Sequence, residues 1–526
     1  MPLVKRDDDP EDTLDELLQD KARIEELPSN DDDAYEDVES DNSGIPFPGR
    51  PSKAERRREE SLPPWLQAAT LNLFHDELQT TTSEAQTKVT ADCLPLLTGR
   101  DTQGLPLNSH GLPHLRREQH VNFLHSQLGP FPAPYVAIDA SRPWFFYWTM
   151  AGLSILGEDV RQFRDRLMET VRPLQNKTGG FGGGHGQYSH CAGSYATVLA
   201  LATIGGLDMI DRKAMWEWLG TVKQADGGFR MAVGAEEDIR GAYCAMTIIT
   251  LLNLPLDLPP DAPARKADLT TFTDRLGEWV GRCQSYEGGI GGAPTNEAHG
   301  AYAFCALACL SILDAPHVSI PKYLDAPALL SWLAARQTQP EGGFQGRQEK
   351  LVDACYAHWV GGCWDLIQAA VAPAASNGMN ADVWNRAALI RYLLTCCQQP
   401  GKKGGMRDKP STRPDAYHTC YSLAGLSHAQ NHYQYDKAAP TRDGEKGRLT
   451  AAFNWTAEKA TETELQGWRI EREDVVEFVH PVFVLPMGVV EECRGLFEGV
   501  GILEGAVIPR VVGENAMSCD AGLDGV

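Results

Sequence analysis

The 526-residue chain is short of basic residues, of long apolar runs and of strand signals, and each shortage excludes something. Lys and Arg number 48 against 71 Asp and Glu, a formal net charge of −23. Nucleic-acid binding draws on Lys/Arg stripes that meet phosphates, and none runs through the body, so no nucleic-acid partner is expected. The single basic run, KAERRR at 53–58, leads straight into Glu59 and Glu60 and reads as a solvated linker. The N-terminus (MPLVKRDDDPEDT) has no apolar core of a secretory signal, and no run of about 18 apolar residues could span a bilayer. Cysteine is plentiful, at 13, but CxxC pairs and regular spacing are missing. Six of the thiols (Cys244, Cys305, Cys309, Cys363, Cys396, Cys397) sit in apolar helical text, as reduced, buried cysteines of a cytoplasmic protein do.

Acid is concentrated at the start. Residues 1–41 hold 17 Asp and Glu against 4 Lys and Arg. With so little apolar surface to offset chain entropy, 1–61 is expected to be a disordered acidic extension. Asp32-Asp33 followed by Glu36-Asp37 echoes a diphosphate-magnesium cluster only by composition. From 62 onward the text is helical, beginning with an apolar candidate within 61–79, and continues in blocks such as ALLSWLAARQ and WNRAALIRYLLTCC. The expected division is 1–61, a catalytic body at 62–505 and a tail at 506–526.

An internal repeat organises that body. A Gly-Gly-apolar unit recurs at Gly179, Gly227, Gly288, Gly342 and Gly404, spaced 48, 61, 54 and 62 residues apart. Each unit follows an amphipathic helical segment such as MWEWLGTVKQ and precedes a second one rich in small residues (SYATVLALATIG, AYCAMTIITLLNL, AYAFCALACLSIL, CYAHWVGGCWDLI, TCYSLAGLSHAQ). Small residues on all faces suit inner helices crowded from every side, and amphipathic ones suit an outer layer. With RPWFFYWTMAGLSIL at 142–156 as a sixth inner helix, the helix pairs are expected to close into an all-α (α/α)6 barrel rather than an open solenoid. Glycine at the turn is expected to supply the positive φ that ends a helix.

Residues at one offset from the Gly-Gly should gather at one mouth of the barrel. Eleven residues on lie His190, Asp238, His299, Asp353 and Asp415; thirteen on, Ala192, Arg240, Ala301, Cys355 and Tyr417; fourteen on, Tyr302, Tyr356 and His418 among others. Helix capping would explain Asp in the first of these rows and nothing else. A ring of His, Asp, Arg, Cys and Tyr over an apolar interior is what an active site requires. Asp353, Cys355 and His418 form an O/S/N set that leaves Zn2+ one open position, the pattern of a catalytic site. Standing alone, DxC with a distant His more commonly describes a buried thiol near a satisfied histidine; the shared repeat phase is what favours a metal site. His299, Arg347, Lys350 and Lys409, with the hydroxyls of Tyr302 and Tyr356, suit a diphosphate. Trp144, Trp148 and Trp359 lie in inner-helix text, as lining of an apolar tunnel or as plain core. Together these parts describe transfer of an isoprenoid to sulfur.

At this point the chain resembles the β subunits of protein farnesyltransferases. The strings that carry the resemblance are DASRPWFFYW (139–148), GGFGGGHGQYSHCAGSYA (179–196), EEDIRGAYCA (236–245), NEAHGAYAFCALA (296–308), GGFQGRQEKLVDACYAHW (342–359), DKPSTRPDAYHTCYSLAGLS (408–427) and HPVF (480–483). The resemblance implies one Zn2+ held by Asp353, Cys355 and His418, with Mg2+ recruited to the diphosphate by Asp408 beside Lys409. It implies farnesyl diphosphate contacts from Arg240, Tyr243, His299, Ala301, Tyr302, Arg347, Lys350, Tyr356 and Trp359, of which Tyr356 also counts with the catalytic set. Trp144, Trp148, His190, Ala192, Arg240 and Tyr417 fall where the family meets the protein substrate or the isoprenoid. A heterodimer with an α subunit and protein substrates ending in a CaaX motif follow from the same resemblance. The implied reaction moves farnesyl onto the substrate cysteine through a zinc-bound thiolate.

The related geranylgeranyltransferase type I shares the zinc set. Bulky Trp144, where that relative has a small residue, and Asp408 both point to the farnesyl enzyme. Ala301 in place of a frequent Gly, Thr412 in place of a Lys in some members, and extra segments at 255–270 and 428–470 depart from the family pattern. A triterpene-cyclase-like barrel would need a DxDD acid, which is missing, and a non-catalytic scaffold would have no use for a zinc and diphosphate set.

Overall fold

Half of the helical text is amphipathic and half is small and apolar, and the chain alternates the two. In the computed structural model, residues 62–67, 78–371, 383–443, 447–498 and 500–502 are described. The acidic stretch 1–61 with its Asp32–Asp37 cluster, most of the apolar candidate within 61–79, and the tail 506–526 lie outside the described residues. The chain divides into two compact units. The larger begins at Pro63, omits 131–138 and holds every element below. Of the smaller one, Leu62 and 131–138 are described, with the Phe131 and Tyr135 rings stacked 4.8 Å apart.

Helices α1 (Thr81–Leu97) and α2 (Arg117–Ser126) precede the first inner helix, α3 (Arg142–Ile155). Then come α4 (Arg164–Val171) and α5 (Cys191–Thr203), α6 (Arg212–Val222) and α7 (Ile239–Leu251), and α8 (Leu276–Arg282) and α9 (Gly300–Leu313). After α10 (Pro316–Tyr323), α11 (Ala326–Ala334) leads to an inner helix broken in two, α12 (Tyr356–Trp359) and α13 (Cys363–Val371). The last pair is α14 (Arg386–Cys396) and α15 (Ala416–Gln430), followed by α16 (Glu462–Trp468) and α17 (Met487–Leu496). Helix α3 packs on α5, α5 on α7, α7 on α9, α9 on α12 and α13, and α12 on α15, which returns to α3. The six inner helices therefore close a ring, the expected (α/α)6 barrel. Outer helices α2, α4, α8, α11 and α14 each pack on the inner helix that follows.

Composition explains the layers. In α9 (GAYAFCALACLSIL) every residue but Tyr302 is buried, because neighbours crowd it on all sides. In α6, Ala214, Met215, Trp218, Leu219 and Val222 are buried while Lys213 and Glu217 pair in solvent. The extra segment at 428–470 carries the only strands among the described residues. β1 (Asn431–Tyr435) pairs antiparallel with β4 (Trp455–Lys459), and the short β2 (Arg442–Asp443) with β3 (Arg448–Leu449). Every described cysteine is buried and none is in a disulfide. No helix among the described residues is long and apolar enough to cross a membrane.

The Gly-Gly units differ from expectation in one respect. All five first glycines have positive φ, from 68° at Gly404 to 113° at Gly227, but they do not cap helices. Helix α6 ends at Val222, and Gly227 follows in a tight turn bracketed by the Lys223–Phe229 bridge. A Cβ on Gly227 would collide with the Arg275 carbonyl oxygen at the start of the next outer helix, and one on Gly404 with that of Gln119 in α2. Close approach to the neighbouring outer helix, together with φ, selects glycine here. The Gly404 contact joins the last repeat to the first.

One end of the barrel is closed. From the C-terminal ends of α3 and α15, where Glu477 N donates to the Ile155 carbonyl and Ser427 to that of Glu477, the chain runs inward through Val479–Leu485. His480, Val482, Phe483, Val484 and Leu485 are buried there. Tyr147 donates to the Val484 carbonyl (2.9 Å) and Tyr243 to the Val482 carbonyl (2.7 Å).

Candidate functional site

Inner helices are buried along almost their whole length, yet Ala192, Arg240, Tyr302, Tyr356, Trp359 and Tyr417 in or near their first turns keep partial exposure. The open mouth of the barrel is therefore at the N-terminal ends of these helices, opposite the floor at 479–485.

Capping explains more of that mouth than expected. Asp238, Asp415 and Asp353 accept from the backbone N–H groups of Arg240, His418 and Cys355, but His190 and His299 do the same through Nδ1, to Ala192 N and Ala301 N. The reading that capping accounts only for the aspartates is corrected: an imidazole nitrogen is as good an acceptor for an orphan N–H as a carboxylate oxygen. Both histidines keep Nε2 for other partners.

Asp353, Cys355 and His418 come together as the repeat phase predicts. One donor atom from each lies within 4.8 Å of the others. His418 Nε2 is 3.3 Å from Asp353 Oδ1, buried, and in no hydrogen bond among the described residues. Its Nδ1 is held by Asp415 Oδ2 at 2.6 Å. A carboxylate that only accepts puts the proton on Nδ1 and turns Nε2 toward the site, as metal-bound histidines require. Burial alone would lower the His418 pKa, but the Asp415 and Asp353 carboxylates outweigh it and hold the ring well above its usual range. Asp353 suffers the same burial, and His418 and Lys409 nonetheless hold it well below the carboxylate range. A second grouping of His114, Glu471 and Glu473 is more exposed, and Asp474 already occupies His114 Nδ1 at 3.0 Å.

Next to Asp353 lies Asp408, pushed up to about 6 by burial and by the Asp353 charge. Lys409 pairs with its Oδ2, while Oδ1 is buried without a partner among the described residues. A carboxylate oxygen in that state suits a hard cation that takes its remaining ligands from water or a diphosphate. The S/N/O donor set at Cys355 suits Zn2+.

On the other side, His299 Nε2 meets the Tyr356 hydroxyl at 3.0 Å, with Tyr302 against the same imidazole. Arg240 lies over the Tyr302 ring and makes a two-point pair with Asp238 (3.0 and 2.9 Å). Arg347 is partly exposed and pairs with Glu297; Lys350 is exposed in the same loop. Tyr243 belongs to the floor rather than the mouth, since it is buried with its hydroxyl on Val482 and 3.2 Å from that of Tyr195.

Trp144, Trp148 and Trp359 are parts of one closed chain of rings. Trp144 stacks on Trp148 (5.5 Å), which meets Tyr417 (5.4 Å), then Tyr421, Trp359, Phe304, Tyr243 and Tyr195, which returns to Trp144 at 5.9 Å. Trp359 Nε1 also donates to the Tyr417 hydroxyl (3.0 Å). Every inner helix contributes, so the belt encircles the interior below the mouth and reaches the floor at Tyr243. Sequence reasoning missed Tyr195, Phe304 and Tyr421 as members, and Asp415 as the partner of His418. The Asp415–His418 spacing of three residues at a helix start was the one available signal.

The model of the prenyltransferase alpha-alpha toroid domain matches residues 115–485. The β subunit of protein farnesyltransferase from Pyricularia oryzae is 50% identical over 433 residues, 80% of this chain and 82% of that one. Its Schizosaccharomyces pombe counterpart is 36% identical over 68% of this chain and 87% of its own length. Among solved structures, Candida albicans protein geranylgeranyltransferase-I complexed with GGPP is similar in fold, with a TM-score of 0.54 at 18% identity over 72% of this chain and 98% of that one.

Proposed function

The chain belongs to the protein farnesyltransferase β subunits of the prenyltransferase alpha-alpha toroid family, and we propose that it transfers farnesyl from farnesyl diphosphate to the cysteine thiol of protein substrates ending in a CaaX motif. It acts in the cytoplasm as a heterodimer with an α subunit. The observation that carries the reading is the Asp353–Cys355–His418 donor set at the mouth of an aromatic-belted barrel.

Asp353, Cys355 and His418 would hold Zn2+. A metal ion held there would supply Lewis acidity, lowering the pKa of a substrate thiol from its ordinary value of about 8.5. Asp415 keeps the His418 ring in the ligating orientation. His299, Tyr356, Arg347 and Lys350, with Tyr302 and Lys409 beside them, stabilise the negative charge that grows on the departing diphosphate. Asp408 offers its unpartnered Oδ1 to Mg2+ on that diphosphate. Trp144, Trp148, Trp359 and Tyr417 enclose the isoprenoid and keep water from the reacting carbon, while His190, Ala192 and Arg240 meet the peptide at the rim.

The test is a donor competition with the chain co-expressed with an α subunit and supplied with Zn2+ and Mg2+. Farnesyl and geranylgeranyl diphosphate compete for one CaaX peptide. Farnesyl transfer is expected to dominate, and Trp144→Thr should raise twenty-carbon transfer about tenfold or more, since added apolar room admits extra methylenes. A wild-type preference for geranylgeranyl would leave the chemistry and overturn the pocket length.

A further inference from the structure

Among the described residues, the inner helix that Cys355 opens is broken where the other five are continuous. The other five run 13 to 15 residues, whereas α12 is a single turn of 4 residues, cut from α13 at Val360–Gly362. One turn has no helical stability of its own, because nucleation costs more than one hydrogen bond returns. Yet Cys355 begins this turn and Tyr356 and Trp359 belong to it. Something outside α12 must hold it.

A buried hydrogen-bonded chain does so. Asp365 Oδ2 on α13 meets His428 Nδ1 on α15 at 2.7 Å, and His428 Nε2 meets His358 Nδ1 on α12 at 3.3 Å. His358 and His428 are fully buried and Asp365 nearly so. The carboxylate only accepts, so His428 directs Nδ1–H at Asp365 and turns Nε2 to His358 Nδ1. His358 Nε2 is left buried with no partner among the described residues. Glycines stand where the chain passes closest: a Cβ on Gly362 would lie 2.8 Å from the His358 carbonyl oxygen and 3.1 Å from His428 Nε2, and one on Gly425 would overlap Ala357. His418, Tyr421, Gly425 and His428 follow one another at helical spacing on α15 and share the face toward α12. Tyr421 meets both Trp359 (4.6 Å) and His358 (5.2 Å).

Stability alone does not account for this cluster. A buried carboxylate and two imidazoles, one end unsatisfied, are matched or surpassed in stability by apolar residues of the same volume. Directional bonds add register. Small residues such as Ala357 and Gly425 would let α12 slide or turn on α15, and the His358–His428 bond does not. We propose that the Asp365–His428–His358 chain is a positioning device that holds α12 in register against α15 and so brings Cys355 and His418 face to face.

The inference rests on the proposed metal site, and its test reads metal rather than transfer. Zn2+ affinity is measured by chelator competition, and the absorption of the Co2+-loaded protein is recorded, for wild-type heterodimer and for His358→Phe, His428→Leu, Asp365→Asn and the double variant of the two histidines. His358→Phe keeps ring volume and the Tyr421 contact and removes only the bond. Each histidine variant is expected to weaken Zn2+ binding about 10- to 100-fold and to shift the Co2+ bands. The double variant should be no worse than either single, because all break one link. Asp365→Asn retains an acceptor for His428 and should stay nearer wild type. Leu201→Ala, a buried cavity on α5 away from the site, is the control for lost stability. Unchanged affinity and bands in His358→Phe, or equal losses in the Leu201→Ala control, would overturn the proposal, and His358→Phe alone decides if His428→Leu does not fold. Wild type that binds Zn2+ but transfers no prenyl group would remove the proposed function and leave this comparison intact; wild type without Zn2+ affinity would remove both.

Discussion

Cys355 and Cys363 are eight positions apart on consecutive inner segments, both buried. Cys363 points its thiol at the Trp359 carbonyl (3.1 Å), and burial raises its pKa well above the usual thiol value. Cys355 instead stands within 4.8 Å of a carboxylate oxygen and an imidazole nitrogen. Residue type separates neither from the other; surroundings do. Cys355→Ala is therefore expected to lose bound Zn2+ and to cut transfer by more than about a hundredfold, whereas Cys363→Ala keeps its metal. Elemental analysis of the purified variants checks both, and full metal content in Cys355→Ala would refute the ligand assignment. Repeat phase made the donor set legible in the sequence. Asp415 was legible only as a cap, because the same carboxylate caps with Oδ1 and holds His418 with Oδ2, and nothing in the sequence says that one side chain does both.

At the scale of the element, the Gly-Gly turns were readable and their reason was not. Positive φ follows from residue type and position, but the collision that forbids a side chain comes from another outer helix, the following one for the first four units and α2, near the start of the barrel, for Gly404. Gly227→Ala combines left-handed strain with overlap on Arg275, while Gly234, at φ 81°, has open space around it. Gly234→Ala should cost about 1–2 kcal/mol, the penalty of the left-handed region alone, and Gly227→Ala clearly more. Urea midpoints of the two variants test the difference, and equal midpoints would mean that the neighbour yields. The break between α12 and α13 lies in the same category. Gly361-Gly362 was visible in CYAHWVGGCWDLI, but an inner helix with two glycines reads as continuous until Gly361 is found against the Ala357 carbonyl and Gly362 against the His428 ring.

At the scale of the whole molecule, closure depends on one seam. Gly405 N donates to His120 Nδ1 (3.0 Å), and His120 Nε2 meets Gln398 Oε1 (3.0 Å), tying α2 to the last repeat. An imidazole that accepts at Nδ1 and donates at Nε2 must be neutral, and burial holds its pKa down to about 4. The unfolded chain takes up this proton near pH 6.5, the folded one only near 4. Stability is therefore full above pH 6.5 and falls as pH drops toward 4, by roughly 1.4 kcal/mol per pH unit and about 3 kcal/mol in all. His480, held at about 3 in the floor, adds in the same sense. Unfolding free energies measured between pH 7 and 4.5 should fall with the two histidines together, and His120→Asn, which keeps an acceptor but cannot titrate there, should remove roughly half of their slope. A slope unchanged in His120→Asn would place the acid sensitivity elsewhere. The sequence by itself determined the repeat, the closed ring of helix pairs, the family and the residues of the donor set, since all of these are carried by spacing and residue type along the chain. Only the tertiary structure decided the belt of eight rings, the floor at 479–485 and the Asp365–His428–His358 chain, because each joins segments tens to hundreds of residues apart through contacts that no local pattern encodes.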